Sequence, residues 1–246
     1  MALNLLALDA SSGACSAALL RRDAAGDTCL ARFAMTPREH TRRLLPMVDE
    51  VLLEAGLTPS ALDAVAFGRG PGSFTGLRIA AGAAQGLAFG LDRPLLGIST
   101  LEALALQAHR QWGCNHVATL IDARMNEVYA GFWRCVDGDI EALADEAVLA
   151  PERLALPGTA AGERFAAVGS GLALADGFVP AFGEKLEVLD AAGPLEPRAE
   201  EMAWLAARDF DAGYGQPAHL VQPVYLRNEV AWKKTAAQKP AEHKPS

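Results

Sequence analysis

The 246 residues carry a formal charge of −8, are 51% hydrophobic, and hold no uninterrupted apolar run near the ~20 residues that a bilayer-crossing helix needs. That excludes a membrane-spanning helix and argues against a general affinity for polyanions, while the length allows one large domain or two small ones. Four cysteines (Cys15, Cys29, Cys114, Cys135) stand apart with no C-x-x-C pair, and Met1 to Leu6 lacks a basic stretch leading into an apolar one; both fit buried thiols in a reducing cytoplasm.

Leu3 to Leu8 and Ala14 to Leu20 are apolar runs joined by Asp9-Ala10-Ser11-Ser12-Gly13, the pattern of a β-hairpin. An aspartate that ends a buried strand, followed by two hydroxyls and a glycine, suits a cation-bound phosphate. It suits equally a polar turn whose side chains bond their own backbone. Thr28 to Ala34 continues as a third strand. Thr36 as N-cap, Pro37 at the first helical position and Glu39 as the third residue of a capping box then open a helix over Arg38 to Ala55, which Gly56 stops. Leu44, Leu45, Val48, Val51, Leu52 and Ala55 form its apolar stripe, and Pro46 inside it predicts a kink or a lost hydrogen bond. His40, beside Arg42 and Arg43, reads as a surface or capping group.

The chain centres on Gly68 to Arg78, where Gly68, Gly70, Gly72 and Gly76 fall within nine residues between an apolar run, Ala64 to Phe67, and a small-residue helix, Ile79 to Phe89, opened by Ser73 or Thr75. Strand, glycine loop and helix N-terminus can present backbone N–H groups to a phosphate, or serve only a tight loop with close helix–sheet packing. A phosphate loop of the G-x-x-x-x-G-K-[ST] kind is excluded, because the first lysine in the chain is Lys185; a serine elbow is excluded because Pro71 and Thr75 stand where G-x-S-x-G needs glycine. In the helix that follows, Gly82, Gly86 and Gly90 recur every fourth residue along one ridge. Each costs about 0.5–1 kcal/mol relative to alanine, so the ridge predicts close approach by a helix of another chain or by the domain's own sheet.

Leu95 to Ser99 predicts a strand, and Thr100 caps a helix through Leu101, Leu104, Ala105 and Ala108. The order then restarts: Val117 to Ile121 with Asp122 at its end, Glu127 to Trp133, and Ala147 to Leu149 as strands, a helix near Pro151 to Leu156, strands at Phe165 to Gly169 and Leu186 to Leu189, and a helix at Arg198 to Phe210. Two βββαβα-type halves, opened by strands that end in Asp9 and Asp122, predict a duplicated α/β protein with a cleft between the halves. The divisions expected are residues 1–105, residues 106–235 with a C-terminal segment free to pack back on the first domain, and a disordered Lys/Pro/Ala-rich tail, 236–246. From Arg227 onward five basic residues face two acidic ones, a local +3 that leaves −11 on the body, so any direct contact with nucleic acid is expected to involve the tail.

Leu6 to Ser16, Pro37 to Thr41, Gly68 to Arg78, Asp122 to Tyr129 and Pro223 to Lys234 together resemble the bacterial TsaB (YeaZ) family, collinearly and nearly end to end, with the weakest match between about 135 and 215. The resemblance implies the actin/Hsp70-like ATPase fold with two related α/β domains. It also implies a non-catalytic role in placing the N6-threonylcarbamoyl group on adenosine 37 of tRNAs that read codons starting with A. The partners implied are a metal-bearing catalytic subunit, TsaD, a small ATPase, TsaE, and tRNA through the complex; a homodimer is open when the chain is alone, and no membrane is involved. The catalytic relative's H-x-x-x-H pair aligns here with Thr100 and Leu104, and His40, His109, His116, His219 and His243 form no i, i+4 pair, so neither a metal site nor a metallopeptidase is expected.

By the same resemblance the first-domain helices form the pairing surface: His40, Leu44, Met47, Val51, Ile79, Gly82, Ala83, Gly86 and Gly90. Asp9, Ser11, Ser12, Gly70, Gly72, Ser73, Thr75, Gly76 and Asp122 would mark a vestigial nucleotide cleft. No cofactor of this chain itself is expected, although a nucleotide at the subunit interface is compatible. The rival reading is a stand-alone ATPase or sugar-kinase-like enzyme of the same fold, for which Gly169-Ser170-Gly171 is the one candidate second phosphate loop.

Overall fold

The computed structural model describes residues 2–136, 138–160, 162–178, 182–189 and 193–227. Strands β1 (Leu3–Asp9), β2 (Ala14–Asp23) and β3 (Gly26–Met35) form an antiparallel meander, and β4 (Ala64–Gly70) and β5 (Leu95–Ser99) add in parallel on the other side of β1. The resulting order is β3-β2-β1-β4-β5. β1 and β4 are covered on both faces, which is why they read as unbroken apolar runs rather than alternating ones.

Helices α1 (His40–Glu54) and α2 (Phe74–Leu91) lie on one face of this sheet, where Leu44, Met47, Val51, Ala80, Ala84 and Ala88 pack on Leu6, Leu8, Val65 and Phe67. The opposite face, with Leu5, Ala7 and Ala66, meets Ala103 and Leu106 of α3 (Thr100–Trp112) and Met202, Ala203 and Ala206 of α4 (Ala199–Asp211).

The second sheet repeats the plan with shorter parts. It comprises β6 (His116–Arg124), β7 (Glu127–Val136), β8 (Asp139–Ala142), β9 (Ala147–Leu149), β10 (Phe165–Val168) and β11 (Leu186–Val188), in the order β11-β10-β6-β7-β8 with β9 also on β7. β6 with antiparallel β7 and parallel β10 reproduces β1 with β2 and β4. Two such mixed sheets form the actin/Hsp70-like arrangement. Helix α3 leaves the first sheet and also packs on β6 and β7, through Leu101, Leu104 and Ala105, while α4 leaves the second and packs on the first. The two helices therefore lie between the sheets.

Several local expectations are corrected. Helix α1 begins at His40, not within a Thr36 capping box: the Thr36 N–H donates to Gly13 O at 3.1 Å, extending the β2–β3 ladder, and Arg38 at φ 70° breaks helical geometry. Pro46 lies inside the helix, as expected, and the helix runs on to Glu54. Ser99, not Thr100, caps α3, its Oγ accepting from the N–H groups of Leu101 and Glu102. The expected helix at Pro151 to Leu156 is a single 3-10 turn, Pro151–Arg153, held where two prolines and a glycine within eight residues leave little room for α-helical bonding. Strand β8 was not expected; it follows from the turn at Gly138, φ 86°, that folds the chain back on β7. Asn228 to Lys234 and the tail from Ala236 lie outside the described residues.

Candidate functional site

The glycine loop and the β1–β2 turn, expected to be two halves of a phosphate cradle, are packed into one another. A Cβ on Gly76 would lie 1.9 Å from Ala10 O, and one on Gly72 would lie 2.4 Å from Ser11 O. The Ser73 N–H donates to Ser11 O at 2.7 Å, and Ser73 Oγ accepts from the Gly76 N–H at 3.3 Å, capping α2. The close approach that the glycines permit is thus taken by the chain's own turn. Gly70, at φ 106°, serves the same loop beneath Val224 O.

Asp9 is fully buried behind this contact. Its carboxylate accepts from the Ser11 N–H at 3.2 Å and from Ser11 Oγ at 3.0 Å, and Gly68 is obligatory beside it, because a Cβ there would sit 2.2 Å from Asp9 Oδ1. Burial pushes the Asp9 carboxyl up to about 7, against the opposing pull of the Ser11 hydrogen bonds. This is the polar-turn reading of Asp9-Ala10-Ser11-Ser12-Gly13. Ser12 serves the same turn, its Oγ accepting from the Ala14 N–H at 3.1 Å, while Ser73, Phe74 and Thr75 stand exposed at the start of α2.

Asp122 belongs to the other sheet, where it accepts from the Arg124 N–H at 2.7 Å and its own N–H donates to Ser170 Oγ at 3.1 Å. Gly169 and Gly171 press on Leu120, with a Gly169 Cβ placed 2.3 Å from Leu120 O. The second candidate phosphate loop is therefore filled by its own strand, as the first is by its turn. Between the halves a cleft of about 440 Å3 is lined by Glu102, Asp145 and Glu146 against one guanidinium, Arg69, a lining that repels a polyphosphate. Thr100 and Leu104 are fully buried; the threonine hydroxyl donates to Pro71 O and the leucine has no donor atom to offer a metal. Among the described residues no three His, Cys, Asp or Glu side chains are grouped as a metal site needs.

The outer surface of α1 and α2 differs in kind. Ideal Cβ atoms on Gly82, Gly86 and Gly90 meet nothing within 4 Å, so the chain's own sheet is not what the ridge makes room for. Phe89 beside it is 79% exposed, and Leu45 and Leu53 on the outer side of α1 are 48% and 83% exposed. Three of the expected interface residues are corrected: Leu44, Met47 and Val51 are 1%, 2% and 0% exposed and face the sheet. Ile79 and Ala83 are half-buried against the same core. His40 Nε2 lies 3.0 Å from Ser12 O, tying the start of α1 to the β1–β2 turn. The apolar stripe of α1 identifies its inward face, so the signal for an outward one was the leucine that falls off it, Leu53, while Leu45, expected in the stripe, stands half exposed instead.

A C-terminal strap binds these parts together. Gln216 and Leu95 exchange backbone bonds at 2.8 and 3.1 Å, Gln85 Nε2 donates to Val221 O at 2.8 Å, and the Val224 N–H donates to Arg69 O at 2.8 Å. Arg78 of α2 lies 3.7 Å over the Phe74 ring and donates to the Tyr225 hydroxyl at 3.1 Å. Arg227 closes the strap on the second sheet, donating to Ala123 O at 3.1 Å and pairing with Glu127. It steadies a turn in which Arg124, Met125 and Asn126 all have φ between 55° and 63°.

A family model described as TsaD, tRNA N6-adenosine threonylcarbamoyltransferase, matches residues 34–238. The tRNA threonylcarbamoyladenosine biosynthesis protein TsaB of Escherichia coli is 41% identical over 239 residues, covering 94% of this chain and 98% of that protein. The protein of the same name from Haemophilus influenzae is 41% identical, covering 94% and 97%. Among solved structures, YeaZ from Pseudomonas aeruginosa superposes with a TM-score of 0.82 at 44% identity, over 91% of this chain and all of that one. A second structure from that organism, described as similar to peptidase YeaZ, gives 0.84 at 45% identity, over 92% of this chain and all of that one.

Proposed function

The chain belongs to the TsaB (YeaZ) family, and on that footing we propose that it is a non-catalytic subunit of the cytoplasmic machinery that transfers a threonylcarbamoyl group to N6 of adenosine 37 in tRNA. Its part is to lend a surface. A TsaD-like catalytic subunit docks on the outer face of α1 and α2, and the pair recruits a TsaE-like ATPase and the tRNA.

The observation that carries this reading is the open glycine ridge. Three glycines in α2 cost up to about 1.5–3 kcal/mol against alanine, and neither the sheet nor any described residue uses the room they leave. A second helix could approach that ridge closely, with Phe89, Leu45 and Leu53 supplying area at about 25 cal/mol per Å2. The stand-alone ATPase reading is weakened by the same structure, since both glycine loops are occupied by the chain's own backbone and the cleft is acidic.

The test is co-purification with the TsaD-like subunit. Replacing Gly82 or Gly86 by Leu should abolish the complex while the isolated variant keeps its circular dichroism and solubility. Unchanged recovery of the partner would refute the assignment of this face.

A further inference from the structure

On a chain that carries −8 overall, one end of the first sheet is basic. Helices α1 and α2 both begin there, against consecutive residues of the β1–β2 turn: His40 Nε2 lies 3.0 Å from Ser12 O, and the Ser73 N–H donates to Ser11 O at 2.7 Å. Arg38, Arg42 and Arg43 stand at the start of α1, and Arg78 one turn into α2. Arg38, Arg42 and Arg78 are exposed and Arg43 is half-buried. None of the four forms an ion pair among the described residues. Glu39 is the one acidic residue between Met35 and Val48, and α2 has none. Helix stability does not account for this charge, because a basic side chain near a helix N-terminus opposes the dipole and the first turn of each helix lacks an acid to offset it.

Aromatic surface lies beside the arginines. Phe74 and Tyr225 are 54% and 41% exposed, with ring centroids 5.5 Å apart. The Arg78 guanidinium sits 3.7 Å over the Phe74 ring and donates to the Tyr225 hydroxyl at 3.1 Å. The strap that carries Tyr225, Gln216 to Arg227, contains no Asp or Glu. Exposed ring faces next to unpaired guanidinium groups suit an unstacked base and the phosphates that flank it. A free anion would use the arginines and leave the rings idle, and a duplex would offer the rings no base.

We propose that this end of the first domain receives an unpaired loop of RNA, with Phe74 and Tyr225 stacking on a base and Arg38, Arg42, Arg43 and Arg78 holding the phosphates around it. The assignment rests on the proposed role in tRNA modification, for which the loop is the anticodon loop that carries adenosine 37. It puts a nucleic-acid contact on the folded body, ahead of the basic tail that begins at Arg227. The glycine ridge starts about two turns beyond Phe74, at Gly82, so the platform borders the docking face of the catalytic subunit.

Fluorescence anisotropy with a labelled tRNA anticodon stem-loop tests this on the full chain, alone and with its TsaD-like subunit. The stem-loop should bind more tightly than a fully paired RNA of equal length. Arg38→Ala together with Arg42→Ala should lower the slope of log affinity against log salt by about 0.7 for each arginine, and Phe74→Ala should weaken binding about tenfold. Equal binding of stem-loop and duplex would overturn the platform. So would an unaltered salt slope in the double arginine variant, whether or not Phe74→Ala folds, or a loss of TsaD-like subunit capture in that variant with RNA binding retained, which would give the arginines to an acidic segment of the partner. Stem-loop binding by a chain that captures no TsaD-like subunit would support the platform while refuting the proposed docking; capture without stem-loop binding would overturn the platform alone.

Discussion

Asp9 and Gly68 show how closely chemistry and space are matched at single residues here. With a Cβ placed 2.2 Å from Asp9 Oδ1, Gly68→Ala must displace a buried carboxyl that has nowhere to go. We expect a loss of roughly 3 kcal/mol or more, read from chemical denaturation. Gly86→Ala is the opposite case: its Cβ enters open space, and the isolated chain should gain about 0.5–1 kcal/mol. Equal losses at the two positions would contradict the reading of both.

Burial also raises the Asp9 and Glu201 carboxyls to about 7, from 3.8 and 4.5. A folded-state value above the unfolded one means that the neutral form stabilises. That contribution is fully present below about pH 4 and is lost as the pH rises through about 7. The denaturation midpoint should therefore fall between pH 5 and pH 8, and Asp9→Asn should flatten the slope. A midpoint that climbs over that interval would show these groups to be ionised in the fold.

At the scale of elements, helix α2 divides its labour by face. Ala80, Ala84 and Ala88 pack on the sheet, while Gly82, Gly86 and Gly90 look outward. The i, i+4 spacing of the glycines was legible from the amino-acid order, as were β1, β2, β4, β5 and the existence of α1 to α4, because buried strands and small-residue ridges leave strong patterns. Which way the ridge faces was not legible, since periodicity locates a face but not its neighbour. On α1 the same limit misplaced Leu44, Met47 and Val51: an amphipathic stripe marks the core, and a partner surface must be sought off it.

The close fit of Gly72 and Gly76 on the β1–β2 turn could not be foreseen either, because glycine permits approach without saying by what. Leu53 makes the element-scale prediction sharp. At 83% exposure, Leu53→Glu should leave the stability of the isolated chain within about 0.5 kcal/mol, yet weaken capture of the TsaD-like subunit. Undiminished capture would move the docking surface off α1.

For the whole molecule, the exchange of α3 and α4 between sheets has a mechanical consequence. Each half relies on a helix that the chain supplies from the other, and the strap from Gln216 to Arg227 ties β5, α2 and the β6–β7 turn in sequence. The two sheets should therefore unfold together. In a variant that keeps Trp133 of the second sheet and replaces Trp112, Trp204 and Trp232 by phenylalanine, fluorescence and far-ultraviolet dichroism should give coincident denaturation curves; separated transitions would show independent halves.

The candidate nucleotide loops are filled by the chain's own backbone, and no described residue occupies the outward glycine ridge. The most direct measurement is threonylcarbamoyl transfer to tRNA in a reconstituted system of this chain, its TsaD-like and TsaE-like partners, and the carbamoyl donor. No transfer is expected from this chain alone, transfer is expected when the partners are present, and Gly86→Leu should abolish it. Transfer by the purified chain alone, or full transfer with Gly86→Leu, would contradict the proposed function.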